Sequence, residues 1–216
     1  MDIINIIFNQ INTITASLIS INLSIEQNFP SNKDGIIYIS GKKDLSVALK
    51  NINYTEIYDE LNNNKNYNFK LIDGALIQMM YFFNKNDLMK HRLAFFPSPR
   101  LNDYQNDAEI YQNDEIYGDI LSNKVIPTTI RFDYDLQATK ELEHPSSHLT
   151  IGQYKNCRIP VFGPITPNIF MDFIVRNFYN SEKNRFLEKL NFKLDKNFID
   201  SILHSEKNIM HLSLFN

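Results

Sequence analysis

Ile126-Pro127-Thr128-Thr129-Ile130-Arg131-Phe132-Asp133-Tyr134-Asp135-Leu136 alternates between polar and apolar side chains, and a period of two means a half-buried strand. Arg131, Asp133 and Asp135 then share one face, and Phe132, Tyr134 and Leu136 share the other. A second alternating stretch, from His144 to Gly152, puts His148 on the face opposite Leu149 and Ile151. The spacing therefore predicts that carboxylates, imidazoles and a guanidinium meet over one sheet.

Downstream, residues 147–161 read as a β-hairpin with its turn near Gln153 to Asn156. Ile159 and Val161 are expected on the buried side, and Arg158 opposite them, alongside His148. In the following Gly163-Pro164-Ile165-Thr166-Pro167, Thr166 is a natural helix N-cap and Pro167 suits the first helical position, where no amide donor is needed. That helix is expected to run to about Tyr179, burying Phe170, Phe173, Ile174, Val175 and Phe178, with Asp172 and Arg176 paired four apart. Short helices near Leu187–Leu190 and Phe198–His204, then a closing strand from Met210 to Leu214, complete the C-terminal half.

Upstream, Ile4, Ile7, Phe8, Ile11, Ile14, Leu18 and Ile21 or Ile25 recur at spacings of three and four, which predicts an amphipathic helix over the first thirty residues. Its polar side is Asn, Gln, Ser and Thr, and packing within the same chain is the favoured use of the stripe. Asn28 to Gly35 reads as a turn-rich break, Ile36 to Ser40 as a strand, and Leu45 to Leu61 as a short helix. Phe69 to Phe83 and His91 to Pro97 read as a long hairpin turning at Asn84 to Asp87. Residues 101–119 carry Asp103, Asp107, Glu109, Asp114, Glu115 and Asp119 with no basic residue until Lys124. This is a solvated acidic loop, or a lid or partner-binding loop. The sum is one α+β domain over 31–216, preceded by the 1–30 helix. Its largely antiparallel sheet has six or seven strands, with helices from both chain ends packed on it.

Composition narrows the functions. The chain has 216 residues, 43% of them hydrophobic, including 16 Phe and 11 Tyr. That is enough apolar surface for a sizeable core. A net charge of -3 gives no global drive toward nucleic acid, so any RNA contact needs a local basic spot. The single cysteine, Cys157, rules out an internal disulfide and a cysteine-based zinc site. The acidic Met1-Asp2 start lacks the basic region of a signal peptide, and the apolar runs are interrupted by polar residues. A cytoplasmic protein with no membrane contact is expected.

Arg131-Phe132-Asp133-Tyr134-Asp135, His144-Pro145-Ser146-Ser147-His148-Leu149, Gly152-Gln153-Tyr154, Cys157-Arg158-Ile159-Pro160, Gly163-Pro164 and Phe173 to Tyr179 together resemble an uncharacterised bacterial family of the domain-of-unknown-function series. The similarity extends to His91-Arg92-Leu93 and Pro97-Ser98-Pro99. The resemblance implies a small cytoplasmic accessory of mobile-element or phage-defence gene clusters. R-x-D followed by H-x-x-x-H is also similar to toxin families suspected of cutting RNA.

Three chemistries compete for these residues. H-x-x-x-H lacks the Glu of a zinc protease and is broken by Pro145. On an extended segment the two histidines lie ~13 Å apart, too far to share one ion unless Pro145 bends the chain back. Asp133, Asp135 and His148 offer a mixed donor set for a divalent ion, but no metal or other cofactor is expected. In a metal-independent phosphodiesterase, His148 and His144 would serve as base and acid, Arg131 or Arg158 would stabilise the phosphate charge, and Asp133 or Asp135 would orient an imidazole. The favoured expectation is an ion network in a non-catalytic interaction protein. It would work with a protein partner encoded nearby, in phage defence or a toxin–antitoxin pair.

Overall fold

The computed structural model describes residues 2–39, 52–100, 127–154, 156–179 and 186–213. The acidic loop 101–119, residues 45–51 of the expected second helix, and Leu214 of the expected closing strand lie outside the described residues.

Helix α1, Ile3–Ser20, starts at an Asp2 N-cap that accepts from the Ile4 amide at 3.3 Å. Ile7, Ile11, Ile14 and Leu18 form a fully buried stripe, and Thr15 joins them because its hydroxyl donates to the Ile11 carbonyl at 2.8 Å. With 18 residues and a mean hydropathy of 1.3, α1 is long and apolar enough to cross a membrane. Its stripe, however, belongs to the same core as the sheet. The chain leaves the helix at Ser20 and forms strands β1, Ser24–Gln27, and β2, Pro30–Lys33, where the sequence suggested helix and turn. β2 pairs with β3, Ile36–Ile39, through Asp34 and Gly35, both with positive φ. That left-handed backbone is what a two-residue hairpin turn requires.

Helix α2, Tyr54–Asn63, is capped by Asn53, whose side chain accepts from the Thr55 amide. The expected long strand from Phe69 to Phe83 is two strands, β4, Phe69–Leu71, and β5, Leu76–Asn84. Between them Asp73 takes the Ala75 amide at 3.0 Å and Gly74 adopts positive φ, so the chain reverses and β4 pairs with β5. β6, Asp87–Phe96, completes the long hairpin, and β7, Ile130–Asp135, β8, Ser147–Ile151, and β9, Ile159–Pro160, follow in antiparallel order. The described residues thus form one α+β fold around a nine-stranded sheet of order β1-β4-β5-β6-β7-β8-β9. β2 and β3 join it along the far end of β5. All strand pairs are antiparallel.

Both faces of the central strands are covered. One carries Ile77, Met79, Tyr81, Leu93, Phe95, Phe132 and Leu149 against α1 and helix α3, Pro167–Ile174. The other carries Leu76, Ala94 and Phe96 under the Tyr54, Ile57, Tyr58 and Leu61 stripe of α2. α3 begins as expected, with Thr166 accepting from the Ile169 amide and Pro167 in the first turn. It continues as a π-helix, Val175–Tyr179. The wider turn carries Phe178 off the buried stripe, to 40% exposure, and lets the buried Tyr179 hydroxyl donate to Asp73 at 2.7 Å.

Helix α4, Phe186–Leu190, lies where expected. Residues 198–203 are not helical; the last helix is α5, His204–Lys207. The tail instead lies along residues 160–163: Ser201 and Ile202 amides donate to the Phe162 carbonyl, and Leu212 exchanges bonds with Pro160 and Phe162. This makes an isolated parallel bridge from Val161 to Leu212 rather than a closing strand. Gly163 permits the approach, since a Cβ there would stand 3.1 Å from the Ile199 carbonyl oxygen and 3.2 Å from the Asp200 Cα.

If α1 is a core helix, Ile11→Ala and Leu18→Ala will each lower stability by about 2–5 kcal/mol. Ile19→Ala, at a position 41% exposed, will cost no more than about 0.5 kcal/mol. Urea unfolding midpoints of the three variants check this, and similar small losses in all three would show that the stripe is not part of the core.

Candidate functional site

The register of β6, β7 and β8 puts Arg92, Asp133 and His148 in one cross-strand row that ends at Pro160 of β9. Alternation sends all three side chains to the α2 face, beyond the apolar patch that α2 covers. Arg131, two residues before Asp133 on β7, shares that face and pairs with Thr150 on β8.

Asp133 is the hub. Arg92 Nε donates to its Oδ1 at 3.0 Å, and Arg131 Nε donates to its Oδ2 at 2.5 Å. His148 Nε2 lies 3.9 Å from Oδ2, too far for a hydrogen bond. The other ring nitrogen, Nδ1, is 2.9 Å from the Pro145 carbonyl oxygen. A carbonyl only accepts, so Nδ1 carries the proton, and in the neutral ring the Nε2 lone pair faces the carboxylate. Burial pushes the Asp133 carboxyl upward, but the Arg92 and Arg131 guanidiniums outweigh it and hold the group below the usual carboxylate range. Burial lowers the His148 imidazole, and Asp133 opposes that only in part. Arg131 and Asp133 are each 9% exposed and His148 is 4% exposed, so these groups are largely sealed.

The remaining sequence candidates divide. His144 does approach the cluster. Lys140 and His144 form a bridge that turns the chain before β8, and the two histidine rings stack edge-on with centroids 4.8 Å apart. The segment is therefore bent where an extended one would hold the rings ~13 Å apart. His144 Nδ1 is nevertheless buried without a hydrogen-bond partner among the described residues. Arg158 stands close enough to His148 to disfavour its charging, while its Nη1 donates to the Glu143 carbonyl at 3.4 Å. Asp135 does not join: its Oδ2 takes Lys90 Nζ at 2.7 Å and its Oδ1 takes the Ala138 amide. Among the described residues no group of three or more His, Cys, Asp or Glu is arranged to hold a metal ion.

Arg92 escaped the reading of the sequence. Its signal was present: it alternates with the apolar Leu93 on a segment read as a strand. What alternation alone does not supply is the register that lines it up with Asp133. The opposite face of the same strand holds a second missed residue, a histidine. His91 is fully buried, its Nε2 accepts from the Ile165 amide at 3.2 Å, and its ring lies against Tyr81 and Tyr134. Burial pushes its imidazole down to about 3. Together with the Tyr81 hydroxyl on the Ile165 carbonyl and the Ser147 hydroxyl on the Gly163 carbonyl, it pins the loop that launches α3.

A family model of an uncharacterized conserved protein, DUF2290, matches residues 23–214. The chain belongs to this family. No curated protein and no solved structure matches it. The DUF2290 match begins just after α1 and includes every residue of the Arg92–Asp133–His148 row, with Arg131, His144 and Arg158.

The neutral burial of His91 has a definite pH consequence. Its folded pKa, about 3, lies below the ordinary 6.5, so between those values the unfolded chain binds the extra proton and folding weakens as pH falls. His148 acts in the same direction. From pH 7.5 to pH 5 the His91 contribution alone amounts to about 2 kcal/mol. Urea midpoints over that range will decline for the natural protein and decline less for His91→Gln. Equal slopes would show that His91 is not held neutral.

Proposed function

We propose that this protein is a non-catalytic interaction subunit, a cytoplasmic bacterial accessory that works with a partner encoded nearby, in phage defence or a toxin–antitoxin pair. The observation that carries the non-catalytic reading is how the cluster spends its groups. Both Asp133 oxygens are taken by arginines, His148 donates through Nδ1 to a backbone carbonyl, and its Nε2 faces the carboxylate with 4% of the residue exposed. A general base must offer its lone pair to a substrate hydroxyl, and a general acid must reach the leaving oxygen. His148 Nε2 is not so placed, so the base–acid pair of histidines lacks one member. The biological setting rests on the resemblance of the motif pattern.

A contact surface supports the same reading. Within the C-terminal tail Ile199 is 90% and Met210 88% exposed, and Leu203, Ile209 and Leu212 are also open to solvent. Large apolar side chains gathered on one segment mark interaction surfaces.

The purified full chain is expected to leave RNA, DNA and nucleotides intact. A tagged chain is expected to retain a stoichiometric protein partner from its native host, and to lose it when Ile199 and Met210 are both changed to Asp. Growth arrest on induction, relieved by His148→Ala at equal protein level, together with cleavage of RNA by the purified chain, would overturn this reading in favour of a metal-independent phosphodiesterase.

A further inference from the structure

The ion network leaves one edge of one guanidinium unspent. Arg131 is about nine-tenths buried, and a guanidinium has five N–H donors in a rigid fork. Asp133 takes only Nε. Among the described residues nothing accepts from either terminal nitrogen of Arg131. Directly across the ladder stands Thr150, 7% exposed, on the same face, its Cβ about 5 Å from that of Arg131. Its hydroxyl is likewise without a hydrogen bond among the described residues. Neither group is among the polar atoms that the described fold seals away unpartnered, as it does His144 Nδ1 and Asn68 Nδ2; 11% of the Arg131 side chain remains open to solvent.

Donors that are unpartnered within the fold and still reach solvent are free to take a ligand, and the strand scaffold holds them still. Asp133, itself anchored by Arg92 on its other oxygen, fixes the plane of the Arg131 fork. We infer that the end-on edge of Arg131 and the hydroxyl of Thr150 form an oxyanion-binding site for a phosphate group. The number of donors suits phosphate better than carboxylate. A carboxylate spends both oxygens on the two parallel N–H donors of the fork, whereas a phosphate has a further oxygen to give the hydroxyl. The site needs no acid–base chemistry, so it stands apart from the interaction reading and survives its failure.

The test is a thermal-unfolding titration of the full chain with inorganic phosphate, with sodium chloride at matched ionic strength as the reference. Parallel arms use a nucleoside monophosphate and a short single-stranded RNA. The expected result is a saturable rise in melting temperature that phosphate gives and chloride does not. Thr150→Val preserves shape and leaves the ion network untouched. It is expected to melt like the natural protein in chloride and to bind phosphate about tenfold more weakly, the loss of one hydrogen bond to a charged group. Arg131→Gln is expected to abolish the response. A tighter response to RNA than to inorganic phosphate would identify a nucleic-acid backbone as the source of the group, and a tighter response to the monophosphate would identify a free nucleotide. No phosphate-specific rise, or an equal rise in Thr150→Val, would overturn the site.

Discussion

Asp133 carries its charge in a largely buried position because two guanidinium groups approach it from two strands. Removing a carboxylate from water is expensive unless its oxygens are paired and hydrogen-bonded. Here each oxygen has its own arginine, one from β6 and one from β7 itself. The requirement is geometric as well as energetic. A slip of β6 against β7 by one residue would turn Arg92 to the opposite face and put Leu93 in its place. The charge would then be short of one partner. A buried ion network contributes little net stability relative to an apolar replacement, so its larger effect is to make one register much better than its neighbours.

That register also organises the apolar side of the sheet. The residues next to Arg92 and His148 are His91 and Ser147, which face the main core and hold the 163–165 loop by backbone contacts. Tyr81 on β5 adds a third tie to the same loop. Thr166 and Pro167 can start α3 only where this loop delivers them. The polar face and the launching of the helix are therefore consequences of one strand alignment, read from opposite sides. A histidine kept neutral in the core suits this task, because the neutral ring can accept from a backbone amide whereas a charged one cannot.

Much of this was legible in the residues themselves. Arg131, Phe132, Asp133 and Tyr134 alternate without interruption, and no other local structure sorts those side chains so cleanly. Thr166-Pro167 names a helix start by chemistry that involves only its own backbone. Where reading failed, the missing quantity was a non-local one. The split of the 69–83 stretch depends on Asp73 closing a turn whose other side is pinned by Tyr179, more than a hundred residues away. Phe178 fits a helical stripe at a period of 3.6, and a single π-turn moves it out of phase. The tail looked helical or extended by pattern, yet its amides and carbonyls found partners at Pro160 and Phe162.

The candidate site shows the same division most plainly. Composition and alternation decided which residue types share a face, because side-chain direction in a strand follows from covalent geometry. They therefore gave the α+β class, the amphipathic first helix and the company of Arg131, Asp133 and His148. Which partner each charge takes was settled by strand register and by the bend before β8. Asp135 went to Lys90, Asp133 gained Arg92, and His144 came within ring contact of His148. Those outcomes turn on contacts between distant parts of the chain, and local periodicity carries no information about which strand lies next to which or how far one has slid along the other.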